Sequence, residues 1–280
     1  MEDTICYAND RFLQFNKAGI SLEDLGVLRG YAIFDFFRIA NNRPLFLADH
    51  LDRFFNSAAV MRLEIKASRE KLIEIIFELI SRNDMPDSGM KILLSGGRSP
   101  DGYQIGEPSL VIIQQAIVPP AVDINMHGLK LVSYSYQRQL SQVKTVDYLM
   151  AIWLQPWVRE NGADDILYHY NGIISECPRS NIFIVTRNNE LLTPRNNMLK
   201  GVTRKHVLRL AGEIGIPVFE RDIAMGELAS AKEVFITSST KRIIPISQID
   251  DILFDSYNNH TLTFKLYDYF FENERRIINS

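Results

Sequence analysis

Cysteine is scarce in this chain. Its 280 residues include two, Cys6 and Cys177, far apart and forming no CxxC pair. Neither a disulfide framework nor a zinc site is indicated, and a reducing cytoplasm fits. A basic excess is missing too: 31 Lys and Arg stand against 34 Asp and Glu, for a net charge of −3 and a pI near 6.0. Nucleic acid and anionic membrane surfaces call for clustered positive charge, so neither partner is expected. The apolar runs are too short to span a bilayer. The start, Met1-Glu2-Asp3-Thr4, carries acids and no apolar stretch of the signal-peptide kind. Internal repeats, low-complexity tracts, a P-loop and a GxGxxG motif are all lacking. The five histidines (50, 127, 169, 206 and 260) show no metal-ligand spacing, so no metal is expected.

What is present suits a soluble globular protein: 46% apolar and 23% charged residues, in a chain long enough for two compact α/β domains. Aromatic and β-branched residues dominate Tyr31–Ile39, which reads as a buried strand turned back at Asn41-Asn42. Asp49 is expected to cap a helix over 50–60, and Ser68 a second helix with an apolar stripe at Leu72, Ile73, Ile76, Phe77 and Ile80. Strands near 90–95 and 109–116 flank a flexible loop, 96–103. Pro119-Pro120 marks a linker, so we expect a small N-terminal domain over 1–118, a linker over 119–127 and a large C-terminal domain over 128–280.

The second half opens with a strand over 129–136, a loop that delivers Lys144, and a helix over 148–159. Alternation through Ile166, Tyr168 and Tyr170 breaks at Asn171-Gly172 and resumes at Ile173-Ile174-Ser175-Glu176, a strong hairpin signal. Glu176 thus ends an apolar strand, where an ionised carboxylate is costly unless a cation meets it. A third strand, 180–186, follows. Leu199-Lys200-Gly201-Val202-Thr203 then leads into a helix that stops at Gly215-Ile216-Pro217, and a helix start of this kind can hold an anion on free backbone N–H groups. Strands near 218–220 and 233–237 and a C-terminal helix over 262–277 complete the reading. On local sequence alone Lys144 reads as a surface lysine. Glu176 has a rim carboxylate as its plain alternative, Arg53 a helix-surface ion pair, and Ser239 a loop hydroxyl.

Four blocks carry a resemblance: Lys144, Glu176-x-x-x-Ser180-Asn181-Ile182-Phe183, Leu199-x-Gly201-Val202-Thr203-Arg204, and Glu233 through Ser239. In this order, with His50-Leu51-Asp52-Arg53 upstream, they resemble the fold-type IV (class IV) pyridoxal-phosphate aminotransferases. That group holds D-amino-acid aminotransferases, branched-chain aminotransferases and aminodeoxychorismate lyases. The resemblance implies a two-domain α/β (α+β) fold, pyridoxal 5'-phosphate as cofactor, and a homodimer whose active site is shared across the interface. It makes Lys144 the amine that condenses with the cofactor's aldehyde and later moves a proton. Glu176 would pair with the protonated pyridine nitrogen. Arg53, Gly201, Val202, Thr203 and Ser239 would hold the phosphate, and Tyr148 would bond the phenolic oxygen.

Several positions depart from the family pattern. Cys177 replaces the glycine that usually follows the acid, and Thr145-Val146-Asp147 replaces the Gly-Gly of branched-chain enzymes. Arg29 stands where relatives place an aromatic, and Arg98 lies on the nearby loop. A substrate carboxylate is therefore expected on Arg29 and Arg98, with Thr240 by resemblance, because a guanidinium suits planar bidentate partners. The plain alternative pairs these arginines with Asp24 or Asp101 at the surface. The implied reaction is amino transfer between an amino acid, D or broad-range favoured, and a 2-oxo acid. The alternatives are a branched-chain L-enzyme, an aminodeoxychorismate lyase, and a non-catalytic cofactor-binding or structural protein.

Overall fold

The structure is a computed structural model and describes residues 4–8, 10–117, 127–256, 258 and 260–279. The expected linker, 119–127 with Pro119-Pro120, lies outside the described residues except for His127. The chain divides into two compact units, one of Met1–Val118, Val143–Asp147 and Ile277–Ser280, the other of Pro119–Gln142 and Tyr148–Arg276.

The first unit is built on a six-stranded antiparallel sheet, ordered β2-β1-β6-β5-β3-β4. Its strands are β1 (Ile5–Ala8), β2 (Arg11–Gln14), β3 (Ala32–Ala40), β4 (Arg43–Pro44), β5 (Ser88–Arg98) and β6 (Glu107–Gln115). Helices α1 (Leu25–Arg29), α2 (Leu47–Val60) and α3 (Arg69–Asn83) complete it. The alternation of β3 buries Ile33, Asp35, Phe37 and Ile39. Leu51 and Phe54 of α2 join the same core as Leu72, Ile75, Ile76 and Leu79 of α3. Each such side chain, fully buried, is worth about 1.5–3 kcal/mol. Asn41 and Asn42 both take positive φ, 48° and 60°, so the expected turn forms. Ser68 caps α3 through its hydroxyl, which accepts from Lys71 N at 3.2 Å.

Asp49 does not cap α2. The helix begins earlier, at Leu47 behind Phe46 (φ 54°), and Asp49 falls in its first turn. A carboxylate there still complements the helix dipole. The loop expected over 96–103 is shorter than foreseen, since β5 continues to Arg98 and pairs with Glu107. Asp101 orders the remainder of the loop by accepting from Tyr103 N and Gln104 N at 2.9 and 2.8 Å.

The expectation of one continuous domain over 128–280 needs a correction. The strip Val143–Asp147, which carries Lys144, belongs to the first unit. Its backbone fastens to β3: Phe34 N donates to Lys144 O at 2.9 Å, and Val146 N to Ala32 O at 3.1 Å. Val143 lies in the core of that unit.

The second unit holds a nine-stranded mixed sheet, ordered β12-β11-β10-β13-β14-β7-β8-β9, with β15 folded back on β14. The strands are β7 (Leu129–Ser135), β8 (Asp165–Tyr170), β9 (Ile173–Ile174), β10 (Asn181–Val185), β11 (Leu191–Thr193), β12 (Val218–Glu220), β13 (Glu233–Ser238), β14 (Arg242–Ile249) and β15 (Ile252–Leu253). Pairing is parallel for β11–β12, β14–β7 and β7–β8, and antiparallel elsewhere. The helices are α4 (Leu149–Trp153), α5 (Gln155–Glu160), α6 (Val202–Glu213) and α7 (Leu262–Asn279).

The β8–β9 hairpin turns at Asn171 (φ 50°) and Gly172 (φ 75°), as Asn-Gly dictates. Every residue of β10 is buried, and Phe183 stacks on its register partner Phe235 at 4.9 Å between centroids. The single helix expected over 148–159 is broken in two at Leu154, because Pro156 enters the first turn of α5 and cannot donate to a preceding carbonyl. α6 ends before Gly215, whose φ of 73° makes the stop.

Candidate active site

In the first unit, Lys144 is half-buried and its Nζ lies 4.4 Å from the centroid of the Phe34 ring. That contact anchors a cation against an aromatic face. The next residue along β3, Asp35, is fully buried and accepts from two side chains one helical turn apart on α2. Arg53 grips it with two bonds of 2.8 Å, Nε to Oδ2 and Nη2 to Oδ1, and His50 Nδ1 lies 2.7 Å from Oδ1. Burial by itself would raise the Asp35 carboxyl, but the Arg53 charge and the hydrogen bonds from Arg53 and His50 hold it well below the usual carboxylate range. His50 is lowered as well: burial outweighs the opposing pull of Asp35, with Arg53 and Lys144 adding to the fall. A neutral ring next to an ionised carboxylate carries its proton on Nδ1.

Arg53 is therefore a half-buried, bidentate partner of the buried Asp35 rather than a helix-surface cation. A pair of this kind fixes the guanidinium plane. Asp35 and His50 are the buried partners on this side of Arg53, and sequence reading did not name them as such. The available signal was an acid amid the aromatic run of β3, where a charge needs a partner.

In the second unit, Glu176 is buried at the end of the hairpin, and a cation meets it as the sequence requires. Arg138 Nε donates to Oε1 at 2.8 Å, and Leu199 N donates to Oε2 at 2.9 Å. Arg138 is itself fixed by Nη2 donating to Ser141 O at 2.7 Å. Sequence reading missed Arg138, because nothing local in the 137–143 loop tells which of its residues meets the acid. Leu199 opens the turn into α6. Gly201 is the N-cap residue and offers no side chain to the first amides, while Val202 and Thr203 are buried in the first turn. A helix start without a side-chain cap leaves N–H groups for an anion. Arg204, also buried, ties the helix down by donating to Pro194 O at 2.9 Å and Glu220 Oε2 at 2.6 Å.

The other expected residues lie as follows. Tyr148 is half-buried and opens α4. Ser239 and Thr240 follow β13, and Thr240 Oγ1 is 3.5 Å from Ser238 Oγ. Cys177 is buried, and burial with the nearby Asp165 pushes its thiol well up, so it stays protonated. In the first unit, Arg29 is exposed, with Nε donating to Gly102 O at 3.2 Å. Arg98 is exposed and ion-paired with Glu23. Asp24 instead accepts from Gly26 N and Ser95 Oγ, both at 2.7 Å. Among the described residues, no group of three or more His, Cys, Asp or Glu could hold a metal, and no helix is long and apolar enough to cross a membrane.

Against known proteins, the family described as "Amino-transferase class IV" matches residues 32–249. A Methanocaldococcus jannaschii protein, provisionally named a branched-chain-amino-acid aminotransferase, is 29% identical over 275 residues, covering 94% of each chain. A D-alanine aminotransferase of Bacillus licheniformis is 27% identical over 247 residues, 86% of this chain and 87% of the other. The solved branched-chain amino acid aminotransferase of Escherichia coli superposes with a TM-score of 0.90 at 21% identity, over 97% of this chain and 95% of that one. The T.th. branched-chain amino acid aminotransferase complexed with N-(5'-phosphopyridoxyl)-L-glutamate gives 0.87 at 22%, over 97% and 94%. The chain belongs to the class IV aminotransferases. It is an enzyme, and its fold is the two-sheet α/β architecture of that class.

Proposed function

We propose that this aminotransferase moves an amino group between an amino acid, with D-amino acids or a broad range favoured, and a 2-oxo acid. Pyridoxal 5'-phosphate is its cofactor. When bound, the protonated ring supplies an electron sink for the pair left at the substrate Cα. The chain's own residues do the rest. Lys144 would hold the cofactor at its aldehyde carbon and, once its Nζ is released from that carbon, would move a proton; an amine kept partly out of water suits both tasks. Glu176 keeps the proton on the ring nitrogen. Arg53, the N–H groups at Val202 and Thr203, and the hydroxyls of Thr203 and Ser239 hold the phosphate, with Gly201 leaving room for the approach. Tyr148 bonds the ring oxygen. Arg29, Arg98 and Thr240 recognise the substrate carboxylate, which asks Arg98 to leave Glu23, a cheap step for an exposed pair.

The observation that carries this reading is the buried Glu176 carboxylate, bonded to the backbone of the very turn that starts α6. The D-alanine aminotransferase relatives support D-amino donors, and the M. jannaschii relative supports the second reading, an L-branched-chain enzyme. The exposed apolar trio Leu149, Ile152 and Trp153 on α4 supports a homodimer.

Half-reaction spectroscopy of the purified holoenzyme tests the assignment. D-amino acids are expected to bleach the cofactor band faster than L-leucine, L-isoleucine or L-valine. The reverse order selects the branched-chain reading, and no bleaching by any donor rejects both. Lys144→Ala protein is expected to retain no borohydride-reducible bond to the cofactor; retention of that bond removes Lys144 from its role.

A further inference from the structure

Leu199 is gripped at both ends of its residue. Its N–H goes to Glu176 Oε2 at 2.9 Å, and its carbonyl accepts from Asn181 Nδ2 at 2.7 Å. Asn181 opens β10, is 6% exposed, and also places Nδ2 3.6 Å from Met198 Sδ. Because the amide nitrogen faces a carbonyl, the amide oxygen must point the other way, toward Gly201. A Cβ on Gly201 would fall 2.1 Å from Asn181 Oδ1. Asn181 cannot swing aside without giving up its bond to Leu199, so the contact is not one that a flexible side-chain tip would relieve. The backbone of Asn181 is fixed in turn by its pairing with Thr237 on β13.

We propose that Asn181, seated against Gly201, is a positioning residue that sets how far the α6 start lies from the Glu176 carboxylate. It thereby matches the chain to a ligand with a cationic ring nitrogen at one end and a phosphate at the other. The proposal rests on the cofactor reading above. Asn181 acts through the Leu199–Gly201 turn. Its work is to hold the N–H groups of Val202 and Thr203 at one spacing from the acid, so its loss weakens binding at the phosphate end and spares the ring end.

Titration of the apoprotein with pyridoxal 5'-phosphate, and in parallel with pyridoxal, which lacks the phosphate, tests it. Gly201→Ala is expected to weaken pyridoxal 5'-phosphate at least tenfold, since the new methyl displaces the Asn181 amide. Asn181→Ala is expected to weaken it three- to tenfold. In Asn181→Ala/Gly201→Ala the methyl enters vacated space, so the double variant is expected to be no worse than Gly201→Ala alone; non-additivity of this kind marks side chains in contact. Pyridoxal affinity is expected to stay within threefold throughout. If Asn181→Ala fails to fold, Asn181→Ser, too short to reach Leu199 O, carries the same expectations. Asn181 variants that bind within twofold of wild type, single effects that multiply in the double variant, or parallel losses of both ligands each overturn the proposal. Wild-type apoprotein that binds neither ligand overturns the cofactor reading itself, and is told apart by that.

Discussion

Two buried aspartates show how opposite environments give opposite pH behaviour. Asp35 faces Arg53 and His50, and its carboxyl is held low despite burial. The stability it supplies is in place above the unfolded carboxylate value of about 3.9 and is lost as pH falls toward the lower folded value. Asp35→Asn leaves Arg53 without its counter-charge, and the expected loss is about 3–5 kcal/mol. Chemical denaturation should find that loss constant between pH 7 and about 4 and shrinking below. Asp165, at the start of β8, is raised chiefly by burial, and its Oδ2 has no hydrogen-bond partner. Its ionisation opposes folding, and the cost appears as pH rises above about 3.9 through the higher folded value. Asp165→Asn is expected to raise the melting temperature by a few degrees at pH 7 and to leave it unchanged near pH 3. A gain that persists in acid would show that ionisation is not the cause.

Among the elements, caps and breakers explain the differences between expectation and structure. Ser68 presents its hydroxyl to the first turn of α3, so Ser68→Ala should cost about 1 kcal/mol. Calorimetry should register a fall of about 2–4 °C. Asp49 satisfies the same compositional rule but sits inside α2, because Phe46 adopts φ 54° and starts the helix earlier. Pro156 splits the 148–159 stretch. The β8–β9 hairpin and the end of α6 fall where Asn171-Gly172 and Gly215 put them, since Gly, and after it Asn, takes positive φ at the least cost.

At the scale of the molecule, the exposed face of α4 carries the homodimer proposal. Leu149, Ile152 and Trp153 are 72, 69 and 64% exposed, an unusual concentration of apolar surface on one short helix. Light scattering is expected to return twice the 32.2 kDa chain mass. Trp153→Glu is expected to shift the protein toward monomer at micromolar concentration. A wild-type monomer would remove the dimer from the reading.

The amino-acid sequence by itself determined the strands around the hairpin, the helix starting at Val202, and the order of Lys144, Glu176, Gly201 and Thr203, because alternation, turn chemistry and motif spacing are local. Folding decided which charges meet. No local pattern pairs Arg138 with Glu176, 38 residues away, or brings Arg53 and His50 onto Asp35 across 18 and 15 residues. Nor does any local pattern say that the Lys144 strip would hydrogen-bond to β3. A buried ion needs a partner somewhere in the chain, and only the packed chain says which one.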